Sequence, residues 1–124
     1  MKFIHSTKAP KAVGPYSQAV LINDTLYVSG QIPFVAESMT LISTDIKDQT
    51  KQSLENILAI VKESGLTKEN IVKCGVFMKD LGMFKDMNEA YAEFFGDHKP
   101  ARFAVEVARL PLDVLIEIDA VVVK

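Results

Sequence analysis

The segment at residues 114–123 constrains the fold more than any other stretch of this chain. At a period of two, Val114, Ile116, Ile118, Ala120 and Val122 share one face, and Leu115, Glu117, Asp119, Val121 and Val123 share the other. Both faces carry apolar side chains, so this strand wants cover on both sides. The remaining chain offers two amphipathic helical patterns. Two helices of their length cover one face of a sheet of five to six strands. The second face is therefore expected to be covered by another subunit.

The rest of the chain reads as strands first, then helix, strand, helix and strands. Residues 18–22 read as a strand, Asn23 and Asp24 as a turn, and residues 25–29 as the hairpin partner. Gly30 closes that strand and Pro33 ends the extended segment. Residues 34–43 form a loop with room for a short strand. A helix is expected over residues 46–64, capped by Thr44 or Asp45 and stopped by Gly65 in a left-handed conformation. Leu54, Ile57, Leu58 and Val61 make its core stripe, and Gln49, Lys51, Glu55, Lys62 and Glu63 its wet face. Residues 71–79 read as a strand. Residues 83–95 read as a second helix with Phe84, Met87, Tyr91, Phe94 and Phe95 as its stripe and Gly96 as its stop. Residues 101–108 are a strand with Phe103, Val105 and Val107 on one face and Arg102, Ala104 and Glu106 on the other. With no repeat or linker, the 124 residues are expected to form one domain.

Several function classes are disfavoured. The formal net charge is −2, which leaves no basic excess to hold a nucleic-acid backbone. Cys74 is the single cysteine, so no internal disulfide forms and a reducing cytoplasm fits best. The first residues lack the apolar run of a signal peptide, and no apolar stretch nears the roughly 20 residues of a membrane span. His5 and His98 stand in no Cys/His cluster, so no metal site is expected. No GxGxxG, P-loop or Ser–His–Asp pattern is present. Cys74, mid-strand with no adjacent base, reads as a small buried hydrophobe.

Arg102 is the least ordinary residue. It stands inside an apolar strand and shares a face with small Ala104, which leaves space for a planar fork to take a carboxylate. The plainer reading is an ion pair with Glu106 or Asp119. Glu117, between Ile116 and Ile118, also needs a partner or a task. The strands bearing Arg102 and Glu117 flank one turn and are expected to be antiparallel neighbours. A register pairing Ala104 with Glu117 sets Arg102 and Glu117 on one gap, as an anion clamp beside a proton-moving carboxylate or as a simple salt bridge. Tyr16, in the turn at residues 14–18, can close a pocket with its ring or merely pack at a rim. Ser29 and Gly30 end a strand where glycine admits a ligand to backbone N–H groups, or where a tight turn needs it. Asn88 lies beside the apolar stripe of the second helix, as a site residue or a surface amide.

Taken together, Gly14-Pro15-Tyr16-Ser17-Gln18-Ala19, Val28-Ser29-Gly30-Gln31-Ile32-Pro33, Asn88-Glu89-Ala90-Tyr91, Pro100-Ala101-Arg102, Val105 through Pro111 and Ile116-Glu117-Ile118 resemble the RidA/YjgF family. The blocks run over essentially the whole chain in the family's order. The resemblance implies a chorismate-mutase-like α+β fold and a homotrimer with a central barrel and clefts between subunits. It implies hydrolysis of 2-iminopropanoate and 2-iminobutanoate to 2-keto acids and ammonia, without a metal or organic cofactor, protecting pyridoxal-phosphate enzymes. Arg102 would bind the substrate carboxylate and Glu117 would orient or activate water, with Tyr16, Ser29, Gly30, Asn88 and Ala104 lining the cleft. This chain departs from the family at Phe103 and Ala104, where small polar residues, with Thr or Cys at the second position, are usual. Two other readings stand beside the deaminase. One is a regulatory module that binds a small carboxylate without turnover; the other is a ribonuclease or translation inhibitor.

Overall fold

The structure, a computed structural model, describes residues 1–124. Its main sheet contains β1 (Lys2–Ile4), β2 (Ala19–Ile22), β3 (Thr25–Gln31), β6 (Ile71–Met78), β7 (Ala101–Glu106) and β8 (Ile116–Val123). β4 (Phe34–Val35) and β5 (Thr40–Leu41) make a separate hairpin. The helices are α1 (Ile46–Glu63) and α2 (Phe84–Phe95). This is the α+β arrangement expected, with a mixed sheet of six strands. The N-terminal strand β1 was not among the expected elements, and its register carries the sheet one strand further, Phe3 pairing with Val20.

Strand order is β1-β2-β3-β8-β6-β7. Every pairing is antiparallel except that of β6 with β7. β8 runs antiparallel to both of its neighbours, so β3, β6 and β7 share one direction. The chain moves from β3 to β6 through α1, and from β6 to β7 through α2. Both crossovers step the same way along the sheet, and right-handed crossovers then place both helices on one face. That is why the other face carries no helix.

Local signals set the helix ends. The Asp45 side chain accepts a hydrogen bond from the Asp48 N–H at 3.0 Å, and Gly65 follows α1 at φ +77°. The buried side of α1 is wider than its apolar stripe. Ile60 is fully buried while Leu58 is only half-buried. Gln49, expected on the wet face, is buried: its amide donates to the Ser43 carbonyl at 2.9 Å and its oxygen accepts the Leu115 N–H at 2.9 Å. A buried amide is tolerated once both ends are bonded. On α2, Met87, Tyr91 and Phe95 point inward at four-residue spacing, whereas Phe84 is exposed and Phe94 half-buried.

The core lies between this helical layer and one sheet face, with Leu26, Ile57, Ile60, Val76, Met78, Ile116, Ile118 and Val122 inside it. Ile118 is completely buried on the central strand. Ile118→Ala is expected to lower unfolding stability by about 2–5 kcal/mol, because the cavity adds to the lost transfer energy. A urea titration checks this.

The opposite sheet face is bare. Phe3, Val20, Tyr27 and Val121 run across it in one cross-strand row, and Phe77, Phe103 and Val105 extend it over β6 and β7. Phe3 is 66 % exposed and Tyr27 53 %. No helix of the structure is long and apolar enough to cross a membrane.

Candidate functional site

The residues singled out in the sequence fall into two clusters on opposite faces of the sheet. Arg102, on β7, pairs in register with Cys74 of β6 and points to the helical side, as does Ala104 opposite Val76. Its Nη1 donates to Asn88 Oδ1 on α2 at 2.7 Å. Its guanidinium carbon lies 4.8 Å from the centre of the Tyr91 ring and 5.6 Å from that of Phe84. The ion pairs of the structure are Lys47 with Glu89 and Arg109 with Asp113, so Arg102 is paired with no carboxylate. The acids considered as its partners are engaged elsewhere. Glu106 Oε1 accepts the Leu81 N–H at 2.9 Å, and Asp119 Oδ1 accepts the Gly75 N–H at 2.9 Å from the other face. A cavity of about 390 Å³ opens beside Arg102, lined also by Asn88, Tyr91, Phe95, His98 and Pro100.

The second cluster gathers around Glu117. A β-bulge in β3 sets Val28 opposite Ala120 but Gln31 opposite Ile118, one extra residue on the β3 side. The bulge leaves Gly30 facing Glu117 so closely that a Cβ on Gly30 would sit 2.5 Å from Glu117 Oε1. Only a residue without a Cβ accommodates this approach. Ser29, beside it, donates from Oγ to the Ser17 carbonyl at 2.7 Å, tying the preceding loop to the bulge. That loop is pinned by buried Gln18, whose oxygen accepts the Ser6 N–H at 2.7 Å while its amide donates to the Pro10 carbonyl at 2.8 Å. Tyr16 stands at the loop tip, exposed, and shares with Gly30 a cavity of about 340 Å³ whose other walls include Val13, Phe34, Met39 and Leu112.

Glu117 is half-buried. Burial first, and the like charge of Asp119 second, push its carboxyl above the ordinary glutamate range. A carboxyl raised in this way holds its proton more readily than a free glutamate does and is suited to taking and returning one.

One expectation fails. Ala104 does not pair with Glu117, because β6 lies between β7 and β8; Ala104 pairs with Val76 and Glu117 with Phe77. Arg102 and Glu117 are on opposite faces and share no gap within one chain. The connection between their strands is longer than a hairpin turn. It carries a 3-10 turn at Pro111–Asp113 with Leu112 and Asp113 at φ 55° and 56°, and it takes the chain past β6 to the centre of the sheet.

Thus the structure brings together Arg102, Asn88 and Ala104 on one side and Gly30 with Glu117 on the other; Ser29 adjoins Gly30, and Tyr16 shares a cavity with Gly30 that Glu117 does not line. Sequence reasoning missed Tyr91 as a neighbour of Arg102, assigning it wholly to the core. The signal lay in the spacing, since Asn88 and Tyr91 are three apart and so share a helix face. It also missed Gly75, where a Cβ would meet Phe103 Cζ and Asp119 Oδ1, each at 2.6 Å.

Comparison with known proteins places these clusters in context. Residues 6–124 match the family model described as Endoribonuclease L-PSP. A RutC family protein of Pyrococcus abyssi is 51 % identical over 121 residues, covering 98 % of this chain and 95 % of that protein. The crystal structure of the YjgF gene product of E. coli superposes with a TM-score of 0.96 at 45 % identity, covering 100 % of this chain and 99 % of that one. E. coli TdcF, solved with bound serine, superposes with a TM-score of 0.96 at 42 % identity, covering 100 % and 99 %. With its sheet order, helical layer and near-complete coverage in agreement, the chain belongs to the RidA/YjgF family, also described as the endoribonuclease L-PSP and RutC family.

Proposed function

We propose that this protein hydrolyses reactive 2-imino acids, such as 2-iminopropanoate and 2-iminobutanoate, to 2-keto acids and ammonia. The observation that carries this reading is the Arg102 guanidinium, fixed on one side by Asn88 and paired with no carboxylate. Such a fork suits a small organic acid, which it grips with two parallel hydrogen bonds. A relative of 42 % identity has been solved with serine, itself a small carboxylate.

The protonated imine is already electrophilic at C2, so positioning and a placed water supply most of the catalysis. Arg102 holds the substrate carboxylate. Glu117 takes a proton from water as its oxygen bonds to C2, giving a carbinolamine. Glu117 passes that proton to nitrogen and takes the hydroxyl proton as the C–N bond breaks, so ammonia leaves while the C2 oxygen becomes a ketone. Imine plus water gives keto acid plus ammonia, with no electron transferred and no call for a metal or organic cofactor. Ala104 offers no side-chain polar group, so any water held there would use its backbone carbonyl.

The two halves of the site meet only if a second copy presents its Glu117 cluster to the Arg102 edge. The bare apolar sheet face supplies a reason to associate. Our reading is therefore a homotrimer with its sites between subunits, working in the cytoplasm to clear imines released by pyridoxal-phosphate enzymes.

Gly30→Ala tests the Glu117 half. The new Cβ forces the carboxylate to swing aside, a displacement of a side-chain tip that the fold tolerates. The expected result is a roughly tenfold loss in kcat with only a small change in melting temperature. The reading as a whole is tested by adding the purified protein to a threonine dehydratase reaction and following keto-acid release. Acceleration that vanishes in Arg102→Ala supports it; equal traces for the two proteins overturn it. The plain methyl of Ala104 favours one second reading, a carboxylate-binding module without turnover. Tight 2-ketobutyrate binding with no acceleration is its signature. The ribonuclease described for the family has little support from a net charge of −2, and cleavage of RNA that disappears in Arg102→Ala would establish it instead.

A further inference from the structure

We propose that Tyr91 is a positioning residue for Arg102, its ring serving as the platform on which the guanidinium lies. The inference deepens the carboxylate-binding reading of Arg102 and rests on it. The guanidinium carbon sits 4.8 Å from the ring centre, within the range of an attractive cation–π contact.

The ring is itself held by aromatic neighbours. Phe95 packs on it with centroids 4.8 Å apart, and Phe94 meets Phe95 edge-on at 4.9 Å. Tyr91 is 8 % exposed, and its buried hydroxyl finds no nitrogen or oxygen partner and lies against the Cys74 thiol, a weak one. Burial pushes that thiol up to about 11, so Cys74 stays neutral. The hydroxyl is thereby taken up with Cys74, and what Tyr91 presents to Arg102 is its ring.

Arginine loses much rotamer freedom when it is fixed on a ligand. The Tyr91 ring and Asn88 Oδ1 fix it beforehand, from a face and from an edge. The remaining N–H groups are left for a carboxylate. This contact is the same in the substrate and in the transition state, so its loss weakens binding and leaves kcat alone.

The test uses the full chain and 2-ketobutyrate as probe. In the unaltered protein the Arg102 Nε–H proton is expected upfield of exposed arginines through the ring current of Tyr91. Tyr91→Leu is expected to remove most of that shift, leaving the smaller share due to Phe84, and to weaken 2-ketobutyrate binding about tenfold and raise KM by the same factor, with kcat within about twofold. Tyr91→Phe is expected to keep the shift, the affinity and the KM. An Arg102 resonance at the exposed position in the unaltered protein overturns the inference, whatever the variants do. So does a Tyr91→Leu protein that binds 2-ketobutyrate as the parent does while Arg102→Ala does not. If Tyr91→Leu fails to fold, Tyr91→Met replaces it with the same expectations. Should Arg102→Ala bind 2-ketobutyrate normally, it is the carboxylate-clamp reading that fails, and the inference falls with it.

Discussion

Arg102→Ala is expected to lower kcat/KM for imine hydrolysis by about 100-fold to 10,000-fold. Each charge-assisted hydrogen bond to a carboxylate contributes about 1.5–3 kcal/mol, and the fork makes two of them. Removing both therefore costs on the order of 3–6 kcal/mol of substrate binding, at about 1.4 kcal/mol per tenfold. The fold should hardly notice. The side chain makes one hydrogen bond, to Asn88, and no ion pair, so stability is expected to change by no more than about 1 kcal/mol. Arg102→Lys keeps the charge but loses the planar fork, and an intermediate loss of roughly tenfold is expected. The dehydratase-coupled assay reads the rates, and thermal melting separates them from misfolding. An alanine variant with the parent's rate and the parent's melting temperature would remove Arg102 from the mechanism.

Glu117→Gln should reduce kcat by about 100-fold to 10,000-fold, the range for loss of a placed general base, with little change in KM. The pH profile makes the assignment specific. Burial and Asp119 raise the Glu117 carboxyl in the folded protein, so the acid limb of kcat/KM should lie above the ordinary glutamate value of about 4.3 and vanish in the glutamine variant. Stability should move the opposite way from activity. A carboxyl whose folded-state value is raised holds its proton more tightly when folded. It favours the native state below the unfolded value, and this contribution is lost as pH rises through the folded one. Glu117→Gln is therefore expected to melt higher than the parent at pH 7, with the gap closing as pH falls below about 4. A variant that is less active and also less stable at pH 7 would mark Glu117 as a structural residue.

Most of the layout could be read without coordinates, for reasons particular to each element. The helix starting at Ile46 is bounded by chemistry that acts within one turn, the Asp45 cap at one end and Gly65 at the other. The β2–β3 hairpin is likewise local, Asn23 taking the left-handed conformation its turn requires. Arg102 stands out because a charge within an apolar strand needs an explanation wherever it occurs. The two-faced strand at the C-terminus implied a face left uncovered by this chain's own helices, and Phe3 and Tyr27 lie on such a face.

What could not be read depends on relations between distant segments. Nothing near residues 101–116 says that β6 intervenes between β7 and β8, since strand order is settled by where the β6–α2–β7 crossover lands. Gln49 looked solvent-facing because its partners, the Ser43 carbonyl and the Leu115 N–H, come from a loop and from the segment leading into β8.

Local sequence was enough for the helices, the hairpin and the identity of the unusual charged residues. Periodicity, capping and polarity are properties of neighbouring residues along the chain. Only the tertiary structure decided that Arg102 and Glu117 lie on opposite sides of the sheet, that Arg102 has Tyr91 and Asn88 for company, and that Gly30 abuts the Glu117 carboxylate. Those facts follow from which strands become neighbours and in what register, and a one-residue slip or a changed strand order would reverse them without altering any local propensity.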